Sequence, residues 1–195
     1  MSKARILVDM DGVLADFEGE LERRWNERWP DDDTSLMRDR VGFEFGDNID
    51  IENNFEKFFK LYKEPGLFAE LNEQDDGLGL QRIQELLDLD YDVRIVTSAG
   101  TQPHVFSEKA HWIEERLGRV WVQRLVVTRD KHFVDGAVLI DDRPNAAKGN
   151  ESRWQQIIYD HPYNRHVKDH PRLSWSDDDW LETIESTVAQ VQAER

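Results

Sequence analysis

Four short polar clusters each follow directly on an apolar run: Asp9 and Asp11, Thr97 and Ser98, Arg129 and Lys131, and Asp141 with Asp142. Carboxylates gathered at one place repel one another, and a hard divalent cation resolves that repulsion. Mg²⁺ in particular favours a few carboxylates together with water and phosphate oxygen. A lysine with hydroxyl donors, and no basic cluster beside them, suits a single phosphate dianion. The set therefore points to phosphoryl chemistry, with charge stabilised by a metal and Lys131 while one carboxylate attacks. One such cluster alone reads as a helix cap or turn. Four of them, each at a strand end, read as one site.

The elements that would bring them together follow from hydrophobic pattern. Arg5–Val8 is a compact apolar run ending in polar residues and Gly12, which predicts a short buried strand. Further strands are predicted over Tyr91–Val96, Arg124–Val127, Ala137–Ile140 and Gln156–Tyr159. Helical spacing marks Leu14, Phe17, Leu21 and Trp25, then Ile51, Phe55, Phe58 and Tyr62, then Leu80, Ile83 and Leu87. It marks Phe106, Ala110, Ile113 and Leu117 too, with Gly118 as a cap. A last helix is predicted from near Ser176 through Leu181, Ile184 and Val188. Val41–Gly46 reads as a loop, and no strand is predicted between about residues 17 and 75. Strands alternating with helices imply an α/β fold with a parallel sheet covered on both faces. In such a sheet the ligand crevice lies outside the carboxyl ends of the strands, where all four clusters fall.

Composition narrows the partners. The chain carries 25 Lys and Arg against 41 Asp and Glu, a net charge of −16, which disfavours binding along a nucleic-acid backbone. No stretch reaches the length of a membrane span. There is no cysteine, hence no disulfide or thiolate chemistry. Met1–Arg5 is too short for a targeting segment, and a cytoplasmic protein is expected.

Asp9-Met10-Asp11-Gly12-Val13-Leu14 resembles the first motif of the haloacid-dehalogenase-like phosphatases, with Thr97-Ser98, Lys131 and Asp141-Asp142 in the places of the other three. Glu64-Pro65-Gly66-Leu67-Phe68, Glu108 to Glu114 with Leu117-Gly118, Thr128 to Lys131, Leu139 to Pro144 and Pro162-Tyr163-Asn164 are similar to the 5′(3′)-deoxyribonucleotidases of that superfamily. The resemblance implies a three-layer Rossmann-like core, residues 1–16 and 76–195, with a helical cap inserted over 17–75. It implies Mg²⁺ and hydrolysis of nucleoside monophosphates. Asp9 would be the nucleophile, forming an aspartyl-phosphate, and Asp11 the general acid and then base. Asp9, the backbone carbonyl of Asp11, and Asp142 would hold the metal, with Asp141 behind them. Thr97, Ser98 and Lys131 would bind phosphate, and Phe17 and Phe43 would contact sugar and base. Ala99, Thr101 and Glu44 stand where the family carries Pro, a basic residue and a large aromatic.

Two other functions are compatible with parts of this pattern. A phosphatase for small sugar phosphates would keep the chemistry and change the substrate. A non-catalytic binding module would usually have lost Asp9, Asp11, Lys131 or the aspartate pair, and all are present. His161, His166 and His170 suggest zinc only weakly, there being no Cys beside them. Trp25 and Trp29, one turn apart, read as a buried helix face. The cap aromatics offer either a homodimer contact or a substrate lid.

Overall fold

A computed structural model describes residues 3–34, 37, 40, 42–44 and 51–194. Val41, Phe45 and Gly46 of the expected loop lie outside the described residues; Gly42 to Glu44 are bends, as expected there. In chain order the strands are β1 (Arg5–Val8), β2 (Ala15–Asp16), β3 (Asn72–Glu73), β4 (Asp92–Thr97), β5 (Leu125–Val127), β6 (Val138–Asp141), β7 (Gln155–Tyr159) and β8 (Arg172–Leu173). The helices are α1 (Phe17–Arg28), α2 (Ile51–Tyr62), α3 (Leu78–Asp88), α4 (Pro103–Leu117), α5 (Arg119–Val122) and α6 (Trp180–Ala193). No helix among the described residues is long and apolar enough to cross a membrane.

The main sheet has the order β5-β4-β1-β6-β7-β8 and its pairs are parallel. Its register sets the site. Val8 lies level with Ile95 on one side and Ile140 on the other. The residues that follow, Asp9, Thr97 and Asp141, therefore emerge at one edge of the sheet.

Alternate side chains divide the core in two, as the strand period requires. Ile6, Val8, Val93, Ile95, Val138 and Ile140 face a large cluster that includes Ile83 of α3, Trp112 of α4 and Ile184 of α6. Leu7, Val96 and Leu139 face the other way, against Ala146 and Trp154. That second face is covered by the β6–β7 connection, which folds as turns with no long helix. Burying each such aliphatic side chain contributes about 1.5–3 kcal/mol.

Several expectations change in detail. Leu14 does not begin α1. The amides of Leu14 and Ala15 both donate to the Met10 carbonyl, closing a tight turn, and Ala15–Asp16 then pairs antiparallel with Asn72–Glu73. So the stretch from 17 to 75 does contain a strand, too short to show a period. β8 is a sixth strand of the main sheet, for the same reason unseen in the pattern. α6 starts at Trp180, because Ser174 donates its backbone amide to the Asp177 carboxylate and holds the preceding residues in a turn. On α4, Phe106 is exposed, and the buried face is Val105, Lys109, Trp112 and Ile113.

A smaller cluster of Leu21, Trp25, Met37 and Leu61 joins α1 to α2, with Trp29 against it. Trp25 and Trp29 meet edge to face within it. Asp16 caps α1 by accepting from the Gly19 amide. Glu108 of α4 accepts from the amides of Gly66 and Phe68, which fixes the chain leaving α2 to the core.

Candidate active site

β1, β4, β5 and β6 deliver their following residues to the same place. Lys131, just beyond β5, places its Nζ 2.7 Å from Asp9 Oδ1 and 2.7 Å from Asp141 Oδ2. Asp9, Asp141 and Asp142 are buried, and one oxygen from each lies within 4.8 Å of the others, the one such group among the described residues. Burial works against the charge of Lys131, but the carboxylates of Asp141 and Asp9 outweigh it and hold the ammonium above its ordinary pKa. The same burial pushes Asp141 up to about 6 and Asp142 well above the carboxylate range, with repulsion from neighbouring aspartates adding to both.

Asp11, two residues beyond Asp9, is half-buried. Its Oδ2 pairs with Lys109 of α4, while Oδ1 has no hydrogen-bond partner among the described residues. Burial raises its pKa, Lys109 pulls the other way, and Asp9 adds to the rise. A carboxyl held toward its protonated form with one oxygen free is suited to donating a proton.

Lys109 was not assigned a role from the sequence. It is fully buried and bridges Asp11 and the Thr97 hydroxyl, at 2.8 Å from the latter. A signal was present: Lys109 lies one turn from Val105 and one from Ile113, on the apolar face of its helix. A lysine in that position must bury its charge against a partner.

The centre opens into a cavity of about 660 Å³. Asp9, Asp11, Ser98, Lys131, Asp141, Asp142, Phe17 and Phe43 all line it, and so does Glu44. Thr97 does not; it is fully buried behind the wall, with its hydroxyl turned to Lys109. α2 contributes Phe55, Phe58, Phe59 and Tyr62 from one face, and Phe17 stacks on Phe68 beside them. Arg129, Arg143 and Lys148 line the cavity too. Arg143 bonds Glu44 at 2.6 Å and lies over the Phe43 ring. Glu44, where the resemblance implies a large aromatic, therefore forms half of an ion pair among the cavity's lining. Of the histidines, His161 bonds the Gly12 carbonyl, and none belongs to a metal-type cluster among the described residues.

A parallel sheet of this order, with paired aspartates after one central strand and Thr97-Ser98, Lys131 and a second aspartate pair after its neighbours, is the arrangement that the resemblance to the haloacid-dehalogenase-like phosphatases implies. A family model described as 5′ nucleotidase, deoxy (pyrimidine), cytosolic type C protein matches residues 3–190. The human cytosolic-type 5′(3′)-deoxyribonucleotidase is 37% identical over 200 residues, covering 97% of this chain and 98% of that one. A candidate 5′(3′)-deoxyribonucleotidase of Bordetella bronchiseptica is 40% identical over 173 residues, covering 87% and 90%. The crystal structure of CbbY from Rhodobacter sphaeroides in complex with phosphate aligns with a TM-score of 0.51 at 18% identity, over 95% of this chain and 100% of that one, a likeness of fold. The chain belongs to the 5′(3′)-deoxyribonucleotidase family, and it is a phosphomonoesterase.

Proposed function

We propose that the protein hydrolyses (deoxy)nucleoside 5′- or 3′-monophosphates in a Mg²⁺-dependent reaction through an aspartyl-phosphate on Asp9. The observation that carries the substrate class is the aromatic-lined cavity that opens from the aspartate–lysine centre. Phe17 and Phe43 offer apolar faces for a base and its sugar, which a sugar phosphate would leave without a partner. In this reading residues 17–75 act as a cap over a core of 1–16 and 76–195, and the enzyme works in the cytoplasm.

Asp9 and Asp142, with the backbone carbonyl of Asp11, would hold the ion, and Asp141 would orient Lys131 behind them. Three buried carboxylates, two of them, Asp141 and Asp142, with raised pKa values, form a donor set that fits a hard dication. When bound, Mg²⁺ supplies positive charge to the phosphoryl oxygens. Lys131, with Ser98 from the end of the neighbouring strand β4, binds and orients the phosphate. A carboxylate oxygen of Asp9 attacks phosphorus as the ester P–O bond breaks, and Asp11 gives its proton to the leaving oxygen. Asp11 then takes a proton from water as that water attacks phosphorus, breaking the bond to Asp9 and releasing inorganic phosphate. Lys109 keeps the Asp11 carboxyl in place through both steps.

The test is phosphate release from deoxy- and ribonucleoside 5′- and 3′-monophosphates beside a set of sugar phosphates, with and without EDTA. The expected result is a kcat/KM preference for nucleotides of at least about tenfold, abolished by chelation and restored by Mg²⁺. Equal or better turnover of sugar phosphates would overturn the substrate assignment. Full activity in EDTA would overturn the metal role.

A further inference from the structure

The residues that follow β7 serve the proposed centre in a way its motifs do not indicate. His161 precedes a single 3-10 turn, Pro162–Asn164. The Tyr163 hydroxyl donates to Asp142 Oδ2 at 2.5 Å. Asn164, fully buried, donates its Nδ2 to the Asp142 backbone carbonyl at 2.7 Å and to the Tyr159 carbonyl at 2.8 Å. The aspartate is therefore held at both its side chain and its main chain by adjacent residues.

The Tyr163 ring is itself fixed on every side that the described residues show. His161 stacks on it, with centroids 4.8 Å apart and planes 8° from parallel. The His161 Nε2 lies 2.6 Å from the Gly12 carbonyl, which can only accept, so that nitrogen carries the proton. On the other side Arg40 places its guanidinium 4.1 Å from the ring centroid. The Gly42 amide donates to the Tyr163 carbonyl at 3.1 Å, and Phe43 meets the ring edge to face. Gly12 closes the arrangement. A Cβ there would lie 2.8 Å from Asp142 Oδ2 and 3.3 Å from the Tyr163 hydroxyl. A larger residue there must displace the Asp142 carboxylate, the acceptor of that hydrogen bond.

We propose that Tyr163 is a positioning residue for Asp142, orienting its carboxylate for a divalent cation. The inference rests on the metal-dependent reading above. The physical reason is that an aspartate has two side-chain rotations to lose on binding an ion. A hydroxyl that already holds one oxygen leaves the other presented in a single direction. Groups that orient metal ligands in this manner typically change metal affinity by about 10–100-fold when removed.

Tyr163→Phe removes the hydroxyl and keeps the ring between His161 and Arg40, so the fold is retained. Mg²⁺ binding to the full-length protein is measured by isothermal titration calorimetry without substrate, for the wild type, Tyr163→Phe and Asp142→Asn. The expected result is binding by the wild type, loss in Asp142→Asn, and a dissociation constant about tenfold higher in Tyr163→Phe. The Mg²⁺ concentration for half-maximal activity rises by the same factor, and excess Mg²⁺ rescues turnover, which a merely structural defect would not allow. Loss in Asp142→Asn with unchanged or tighter binding in Tyr163→Phe overturns the positioning role and leaves the metal reading standing. No binding by the wild type, or equal binding by Asp142→Asn, overturns the metal reading and this inference with it.

Discussion

Glu18 gives the sharpest test of the electrostatics around the cavity. It sits in the first turn of α1, lines the cavity and pairs with Arg40, its side chain 25% exposed. Burial is the largest influence on its carboxyl, Arg40 opposes it, and Asp16 adds repulsion; the outcome is a rise from 4.5 to about 7. The folded protein thus keeps a proton that the unfolded chain releases near its ordinary pKa. Stability from this group is present in full below the unfolded pKa and is lost as pH rises through the folded one. At about 1.4 kcal/mol per pH unit, the loss between about pH 5 and about pH 8 is roughly 2–3 kcal/mol. Glu18→Gln is neutral throughout and escapes the loss. Against intuition, breaking half of an ion pair should then stabilise the protein at about pH 8, by roughly 2–4 °C in Tm per kcal/mol. The two proteins should converge toward the lower pH. Urea unfolding followed by tryptophan fluorescence at both pH values measures the difference. If Glu18→Gln is less stable than wild type at about pH 8, the pair with Arg40 outweighs burial and the reasoning is refuted.

Asp9→Asn should keep the fold and lower kcat by about 10⁴-fold or more; single-turnover phosphate release near the wild-type rate would remove Asp9 from its role. Lys109→Met leaves the Asp11 carboxyl buried beside Asp9 without its cation. It should cost about 3–5 kcal/mol in urea unfolding, and a cost below about 1 kcal/mol would mean that the lysine is not needed to hold Asp11. Gly12→Ala introduces a Cβ 2.8 Å from Asp142 Oδ2 at a residue with φ of +71°. The left-handed backbone alone costs about 1–2 kcal/mol, and weaker Mg²⁺ binding by calorimetry should accompany the loss of stability; wild-type affinity would show that Asp142 moves aside freely.

What was legible in the chain was what is local. Apolar runs ending in Asp, Thr-Ser or Lys mark both a strand and its candidate functional end within a few residues, and the parallel topology brings those ends together. The register that levels Val8 with Ile95 and Ile140 is why those ends converge. Thr97 shows the limit of this reading. It was expected to bind phosphate, but a side chain at the last position of a strand can turn inward, and this one meets Lys109. Lys109 was hidden because helical pattern was read from its apolar members, which also placed Phe106 on the buried face that Val105 and Lys109 occupy. Arg40 and Tyr163 lie far apart in the chain, and their contact depends on how a loop returns to the core, which no period encodes. β2, β3 and β8 are two residues each, too short for alternation to register.

The charge inventory explains how so acidic a protein can take an anion. At the centre stand Asp9, Asp11, Asp141 and Asp142, and among the described residues the ammonium groups paired with them are those of Lys109 and Lys131. Four carboxylates against two ammonium groups would repel a phosphate dianion at contact distance, where low dielectric makes each charge count heavily. Burial is the largest cause of the raised carboxyl pKa values there, and repulsion from neighbouring aspartates adds to it. In the proposed reading a dication would offset that excess of negative charge, and a proton on Asp11 would remove one charge more. Arg129, Arg143 and Lys148 along the cavity wall then attract the incoming anion from a short range, whereas the net charge of −16 acts over the whole surface. A long polyanion must lie across that surface and is repelled, while a single phosphomonoester fits within the cavity and meets only the local field. In the proposed reading the acidic exterior would turn away long polyanions while the basic side chains among the cavity's lining receive a single phosphomonoester, a filter by size as much as by charge.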